Sequence, residues 1–202
     1  MKSTRLFAFV CVIVPAAAFA QVTPIGPFAG ALQEGWETTQ SGQFQPQLSI
    51  LGGAGTADQL GAGQGLHVTT GWGFFSTIFP HGGALFMGGA GVNYQFIFNT
   101  PAFQFGAYFG TNADAAGATA TFFDAANAQI GGPMAIAAPM GGQWQWDGWE
   151  FAGGIKRIEI VANNQWGGFI MSDDLEYNPV PEPGAIVALA VGLGMLLVRR
   201  KR

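Results

Sequence analysis

Alternating apolar and polar residues, interrupted at short intervals by glycine, constrain the fold of this chain more than any other feature. In the segment VNYQFIFN at 92–99, positions 92, 94, 96 and 98 are apolar or aromatic, whereas 93, 95 and 99 are Asn or Gln. A period of two is typical of a half-buried β-strand. The segment FQFGAYF continues the pattern and predicts one face with Phe103, Phe105, Ala107 and Phe109. No stretch keeps a 3.6-residue apolar period over three turns, so we predict an all-β fold.

Several other segments carry strand signals. They are FQPQLSIL at 44–51, LHVTT at 66–70, ATATFFDAANAQIGG at 118–132, IKRIEIVA at 155–162 and GFIMSDDLEY at 168–177. Pro46 predicts that the first of them lies at a sheet edge, because proline cannot donate to a strand ladder. Asp124 to Asn127 predicts a turn within the third. About ten short strands separated by glycine-rich turns predict a two-sheet β-sandwich of jelly-roll type over residues 21–179.

The first 20 residues have the organisation of a secretory signal peptide. Lys2 and Arg5 precede an apolar stretch, and Ala18-Phe19-Ala20 forms a small-residue cleavage site. Signal peptidase is therefore expected to cut after Ala20. Cys11, the single cysteine, leaves with this segment, so the mature chain is predicted to have no disulfide and no cysteine-based metal site.

Charge is distributed very unevenly along the chain. Residues 21–179 hold eleven acidic residues and two basic ones, Lys156 and Arg157, which gives a formal net charge of −9. Such a field repels phosphate backbones and anionic lipid, so we predict that nucleic acid is not a partner.

The C-terminus follows a different plan from the body. Five residues, Val180-Pro181-Glu182-Pro183-Gly184, precede an apolar run over 184–198, and Arg199, Arg200, Lys201 and Arg202 close the chain. As a helix the run of 15 residues would be about 22 Å long, against roughly 30 Å of bilayer hydrocarbon. The pattern predicts a marginal transmembrane helix with its basic end in the cytoplasm.

This tail, residues 180–202, resembles the PEP-CTERM sorting signal of Gram-negative bacterial surface proteins. The resemblance implies a transient inner-membrane anchor, recognition of the Pro-Glu-Pro motif by an exosortase-like membrane protease, and delivery of the body to the cell surface or extracellular matrix. The body resembles, more loosely, β-sandwich ectodomains that precede such tails, through FQFGAYFG, ATATFFDAANAQIGG and GGFIMSDDLEYNPVPEP. An ordinary tail anchor is the alternative interpretation.

Catalytic patterns are weak. His67 and His81 have no metal-ligand spacing, and the chain has no G-x-S-x-G motif. Asp147 and Glu150 are three positions apart on one segment, a poor arrangement for two carboxylates that must face each other across a sugar. The sequence therefore favours a non-enzymatic protein, and a glycoside hydrolase is the least favoured alternative.

Asp173 is the most unusual acidic residue. A regular strand would place it on the apolar face with Met171 and Leu175, where a carboxylate needs partners. One hypothesis is a structural Ca²⁺ bound by Asp173 and Asp174 with oxygens from Glu34 and Glu37. The alternatives are a β-bulge, capping of backbone N–H groups, or simple exposure.

The body also contains all six tryptophans of the chain. Trp144 and Trp146 are expected to share a strand face, with Trp149 nearby. Exposed indoles stack on sugar rings, which suggests a carbohydrate-binding module that contacts extracellular polysaccharide. Buried tryptophans in the sandwich core are the alternative.

Overall fold

The computed structural model describes residues 21–181, which form fourteen β-strands and one 3-10 turn at Leu51–Gly53. The strands are β1 (Thr23–Ile25), β2 (Leu32–Glu34), β3 (Phe44–Gln45), β4 (Gln47–Ile50), β5 (Gly55–Leu60), β6 (Gly65–Thr69), β7 (Trp72–Gly73), β8 (Thr77–Ile78), β9 (Phe86–Ala90), β10 (Asn93–Thr111), β11 (Ala118–Phe123), β12 (Met134–Ile136), β13 (Gln145–Ala162) and β14 (Ile170–Pro179). The described part contains no α-helix, so the predicted all-β class is confirmed.

Two predicted elements fall outside this range. They are the signal peptide over 1–20 and the transmembrane helix over 184–198. Between residues 21 and 181, no helix has the length and apolarity needed to cross a bilayer.

Twelve strands form one antiparallel sheet, and β7 and β8 form a separate two-stranded sheet. Strands β10 and β13 are 19 and 18 residues long and pair with each other along most of their length. Residues 93–98 of β10 pair with β5 on the other side, whereas residues 102–111 pair with β14. The two long strands therefore belong to two different parts of the sheet.

These parts pack against each other as two layers. The first layer contains β4, β5, the first half of β10, the second half of β13, β11 and β12. The second contains β1, the first half of β13, the second half of β10, then β14, which pairs with both β2 and β9, and finally β6 and β3. The rings of Phe98 and Phe105, from the two halves of β10, lie 5.0 Å apart, and those of Phe122 and Trp149 lie 5.2 Å apart. The sheet thus folds over itself to enclose one aromatic core.

This arrangement refines the predicted two-sheet sandwich. The layers are sandwich-like, but the large sheet is continuous because two strands pass through both layers. Strand β4 pairs only with β5 in the described sheet, so the edge position that Pro46 predicts is confirmed.

On both sides of an irregularity in β10, the residues predicted to face the core are the buried ones. Tyr94, Phe96 and Phe98 are buried in the core, and so are Phe105, Ala107 and Phe109. The register shifts on either side of Ala102, and Phe103 is only half-buried. Phe103 therefore does not join the core face, contrary to the prediction.

A second irregularity changes the orientation of β14. Tyr108 pairs with Asp173 and Gly106 pairs with Glu176, so β14 has one residue more than β10 between these pairs. Asp174 has a φ of +46°, as expected at a β-bulge. The bulge places Leu175 in the main core and Met171 in a small second core with Ile78 and Phe86. The prediction that Met171, Asp173 and Leu175 share one face is therefore wrong.

Candidate functional site

The second layer has an outward face built from residues two apart on β10. Odd-numbered residues from Phe105 to Phe109 belong to the core, so Gly106, Tyr108 and Gly110 point away from it. Their neighbours in the ladder lie in two rows: Tyr108 pairs with Trp146, and Gly106 pairs with Gly148. An aromatic row therefore lies beside a row of glycines on the outside of the sandwich.

Trp146 lies flat on these glycines. A Cβ added to Gly148 would come within 2.8 Å of Trp146 Nε1, and one added to Gly106 would collide with the six-membered ring. The indole N–H donates a hydrogen bond to the Ile25 carbonyl at 3.2 Å. Backbone contact below and this hydrogen bond hold the half-buried indole over the two glycines, where it also lines a groove.

Neighbouring rings and chain segments form the walls around Trp146. Phe28 meets the indole edge-on with ring centroids 5.8 Å apart, and Tyr108 does so at 5.4 Å. The groove has a volume of about 350 Å³ and is also lined by Gln33 and Glu176. It combines aromatic surface with hydrogen-bonding side chains.

A polar row continues the face on the far side of the glycines. Gln104 pairs with Glu150 on one side and with Asn178 on the other. Gln104 Nε2 donates to Glu150 Oε2 at 3.2 Å, and Asn178 Nδ2 donates to Gln104 Oε1 at 2.9 Å. These side chains orient one another and retain further donor and acceptor capacity. We call Phe28, Tyr108, Trp146, Glu176 and this polar row together the Trp146 face.

Trp144, Trp146 and Trp149, which the sequence predicts to be close together, do not form one exposed surface. Trp144 is half-buried, donates from Nε1 to the Phe79 carbonyl at 2.8 Å and packs edge-on against Phe86. Trp149 is only 2% exposed and packs in the core against Phe109 and Phe122. Trp149 cannot contact an external ligand, because residue 149 points to the opposite side of β13 from residue 146.

The structure also separates Asp147 from Glu150. Residues three apart on a strand project from opposite faces. Asp147 Oδ2 accepts the Ala137 N–H at 3.2 Å, whereas Glu150 belongs to the polar row. Burial raises the pKa of Asp147. The two carboxylates do not face a common cleft.

Asp173 is buried beneath the loop that follows β8. Its side chain is 0% exposed, and Oδ2 accepts the N–H groups of His81 at 2.8 Å and Gly82 at 3.2 Å. Oδ1 accepts the Asp174 N–H at 2.9 Å. Burial, and then the charge of Asp174, raise the pKa of Asp173 to about 7 against the opposing effect of these hydrogen bonds. The carboxyl group anchors the loop and is inaccessible to a ligand.

The other acidic residues of the calcium hypothesis also bind backbone groups. Glu34 accepts the N–H groups of Trp36 and Leu51, each at 2.9 Å, and Glu37 accepts that of Ala84 at 2.6 Å. Asp174 Oδ2 lies 2.6 Å from His81 Nδ1. Within residues 21–181, no group of three or more His, Cys, Asp or Glu side chains is placed to hold a metal ion. The capping alternative accounts for the carboxylates of Asp173, Glu34 and Glu37.

His81 connects the Asp173 loop to the Trp146 face. Its imidazole stacks on Tyr108 with centroids 3.6 Å apart and planes 17° from parallel.

Sequence reasoning found Trp146 but missed Tyr108, Phe28 and Gln104. The available signal was glycine at two outward strand positions, 106 and 148, which leaves space for a flat ring.

The start of the predicted sorting motif lies against the body. The Val180 N–H donates to the Pro101 carbonyl at 2.9 Å, and Pro181 is exposed. Several predicted features lie outside the described residues: the remaining motif residues Glu182, Pro183 and Gly184, the basic tail 199–202, and the predicted cleavage-site residues Ala18 and Ala20.

Comparison with known proteins gives little overlap. No protein-family model and no curated protein matches the chain. Among solved structures, the chain is similar to the enzymatically active domain of bacteriophage CBA120 tailspike protein 4, with 16% identity and a TM-score of 0.37. The match covers 62% of this chain and 19% of the tailspike chain. This similarity is too low to define a fold or a function here.

Proposed function

We propose that this chain is a secreted, non-enzymatic protein of the bacterial surface or extracellular matrix that binds neutral polysaccharide at the Trp146 face. The observation that carries the proposal is the indole of Trp146, held flat on Gly106 and Gly148 beside the ring of Tyr108. A flat aromatic ring with an ordered row of amides and carboxylates beside it matches the two surfaces of a sugar, one of C–H groups and one of hydroxyls.

Binding follows from these two contacts. The C–H face of one sugar covers the indole and removes apolar surface from water. Hydroxyl groups of the neighbouring units bond to Gln104, Glu150 and Asn178, whose positions are already fixed by their mutual hydrogen bonds. The net charge of −9 disfavours uronate or phosphate-bearing chains. Since one ring supplies most of the apolar contact, the dissociation constant is expected between about 1 µM and 1 mM.

The absence of enzymatic activity is part of the proposal, and it is supported by the acidic side chains of the Trp146 face and by Asp174, which also lines the groove. Glu176 Oε2 accepts the Gly30 N–H at 2.6 Å, Glu150 accepts from Gln104, and Asp174 contacts His81. Glycoside hydrolysis needs two carboxyl groups on either side of the scissile bond, about 5–9.5 Å apart. Here the carboxylates serve as hydrogen-bond acceptors that order the surface.

Affinity electrophoresis of the full-length protein in mild detergent, through gels that contain neutral glucans, mannans or galactans, tests the binding role. The parent should be retarded by at least one polysaccharide, and Trp146→Ala should weaken the association at least about tenfold, or 1.4 kcal/mol. Phe44→Ala is the matched control, because Phe44 is 47% exposed and lies on edge strand β3. Equal retardation of the parent and Trp146→Ala would refute the site.

The delivery route is a second part of the proposal. We infer that the PEP-CTERM-like tail anchors the chain transiently in the inner membrane until an exosortase-like protease removes it. The pattern of motif, apolar run and basic end over residues 180–202 supports this. Intact-mass analysis of the surface-released protein should show a chain that starts at Gln21 and ends near Pro181 to Gly184. A released chain that still ends in RRKR would contradict the route, and permanent retention in the membrane would favour a plain tail anchor.

A jelly-roll connection pattern remains our proposal for the layered body. Structural Ca²⁺ is not required by the proposed binding mode, because the carboxylates expected to bind it already interact with backbone N–H groups or with His81.

A further inference from the structure

Three exposed aromatic rings form a second surface that the Trp146 face does not include. Phe74, Phe75 and Trp166 are 46%, 54% and 44% exposed. Phe74 and Phe75 lie at the tip of the β7–β8 hairpin, and Trp166 lies in the loop before β14. Their ring centroids are between 4.6 and 5.7 Å apart. We call these three residues the hairpin cluster.

The backbone around the hairpin cluster is held firmly. The N–H groups of Phe75 and Ser76 both donate to the Asn112 carbonyl, at 2.9 and 3.2 Å. Phe74 stacks on Phe169 with centroids 4.5 Å apart and planes 15° from parallel. The Trp166 indole N–H donates to Asp114 Oδ1 at 3.0 Å. The rings are therefore arranged before any ligand arrives, which lowers the entropic cost of binding.

Charge and size limit what this surface can bind. The two cations of the body, Lys156 and Arg157, are on the part of β13 that belongs to the first layer, whereas Asp114 borders the cluster. This disfavours anionic lipids and a second copy of this acidic chain. Three half-exposed aromatic side chains offer about 300 Å², against roughly 800 Å² per partner in a stable protein interface. A neutral, narrow ligand with apolar C–H faces fits both limits.

The hairpin cluster lies along the same strand direction as the Trp146 face. Tyr108 belongs to that face, and Asn112, which holds the hairpin tip, follows four residues later. At about 3.3 Å per residue these positions are roughly 13 Å apart. Trp144 and Ile78 lie between them, since a Cβ on Gly110 would contact both side chains. The aromatic surfaces thus follow one another along the outside of β10.

We propose that the hairpin cluster is a second contact site for the same neutral polysaccharide strand that binds the Trp146 face. The proposal rests on the proposed function for the class of ligand, but it assigns a different set of residues. A chain long enough to reach both sites gains from the high effective concentration of its second segment. A short oligosaccharide occupies one site at a time and has no such gain. Affinity therefore depends on chain length, and the hairpin cluster is responsible for that dependence.

Isothermal titration calorimetry of the full-length protein in mild detergent tests the second site. The ligands are a disaccharide and a long soluble chain, both taken from a neutral polysaccharide that retards the parent. The parent should bind the long chain about tenfold to hundredfold more tightly per molecule than the disaccharide. Phe75→Ala and Trp166→Ala should each remove most of this gain. Val161→Ala is the control, because Val161 is 38% exposed and lies on the part of β13 that belongs to the first layer, away from both sites.

The outcomes separate the two proposals. If Phe75→Ala and Trp166→Ala keep the full chain-length gain while Trp146→Ala abolishes binding, the second site is refuted and the proposed function stands. If Trp146→Ala binds like the parent while the hairpin variants lose binding, the Trp146 face is refuted and the cluster is an independent site. If no neutral polysaccharide retards the parent, both proposals are refuted. Melting temperatures check that each variant is folded at the temperature of the titration.

Discussion

The buried carboxyl of Asp173 predicts that the stability of the protein falls between acidic and neutral pH. The pKa of this group rises from 3.8 to about 7 on folding, because burial and the charge of Asp174 disfavour its ionised form. Below 3.8 both the folded and the unfolded state hold the proton. Between 3.8 and 7 the unfolded state loses it while the folded state keeps it, so the free energy of unfolding decreases as pH rises. Above 7 both states are ionised, and this contribution does not change further.

The size of the effect follows from the shift. A shift of about three units at 1.36 kcal/mol each corresponds to roughly 4 kcal/mol across the interval, or about 1.4 kcal/mol per pH unit. That is a large fraction of the 5–15 kcal/mol that stabilises a typical domain. Other titrating groups add their own pH dependence, so the informative quantity is the difference between the parent and a variant without this carboxyl.

Asp173→Asn supplies that comparison, because the amide is uncharged at every pH and similar in size to the protonated acid. Urea unfolding of both proteins, followed by tryptophan fluorescence at several pH values from 4 to 8, gives the two free energies. The stability of the parent relative to the variant should decline by about 4 kcal/mol over this interval. Parallel curves would show that Asp173 ionises near its ordinary pKa. A relative stability that rises with pH would show that its three N–H donors outweigh burial.

The packing of glycine and tryptophan residues and the distribution of carboxylates and cysteine can be tested in four further ways. Gly148→Ala should displace the Trp146 indole, weaken polysaccharide retardation and cost about 1–3 kcal/mol in urea unfolding; unchanged fluorescence and binding would contradict the flat arrangement. Trp149→Ala should cost about 3–5 kcal/mol, whereas Trp166→Ala at the surface should cost much less. Melting curves in chelator and in millimolar Ca²⁺ should coincide. If an ion did bind, a hundredfold excess over its dissociation constant would stabilise the protein by about 2.7 kcal/mol. Residues 21–179 should fold alone with a β-rich circular dichroism spectrum that reductant does not change; a helical spectrum would refute the fold.

The sequence predicts those parts of the fold where alternation is regular. The faces of β10 on both sides of Ala102 have the expected phase, because burial of one face requires a period of two. A β-bulge is one of the alternatives that the sequence offers for Asp173, and the structure has one at Asp174, but the sequence does not choose it over a regular strand, since one inserted residue leaves no composition signal. A regular strand therefore predicts Asp173 on the core face, whereas the carboxyl group lies under the loop at His81.

The sequence predicts only some residues of the candidate site. Trp146 and Trp149 look alike in sequence, and only their odd spacing indicates that they project from opposite faces of β13. Tyr108 and Phe28 reach Trp146 through long-range pairing and through the path of the N-terminal segment. Contacts of this kind depend on register between distant strands, which a single sequence does not specify.

The position of the last strand has a consequence for how the protein matures. Strand β14 lies between β10 and β9 in the second layer and also pairs with β2, although it is the last strand of the body along the chain. A chain that has emerged from a ribosome or a translocation channel only as far as residue 169 lacks an internal strand, and the edges of β10 and β9 are exposed. Folding of this layer therefore waits until nearly the whole body has emerged. Until then the unpaired edges of β10 and β9 are open to intermolecular strand pairing.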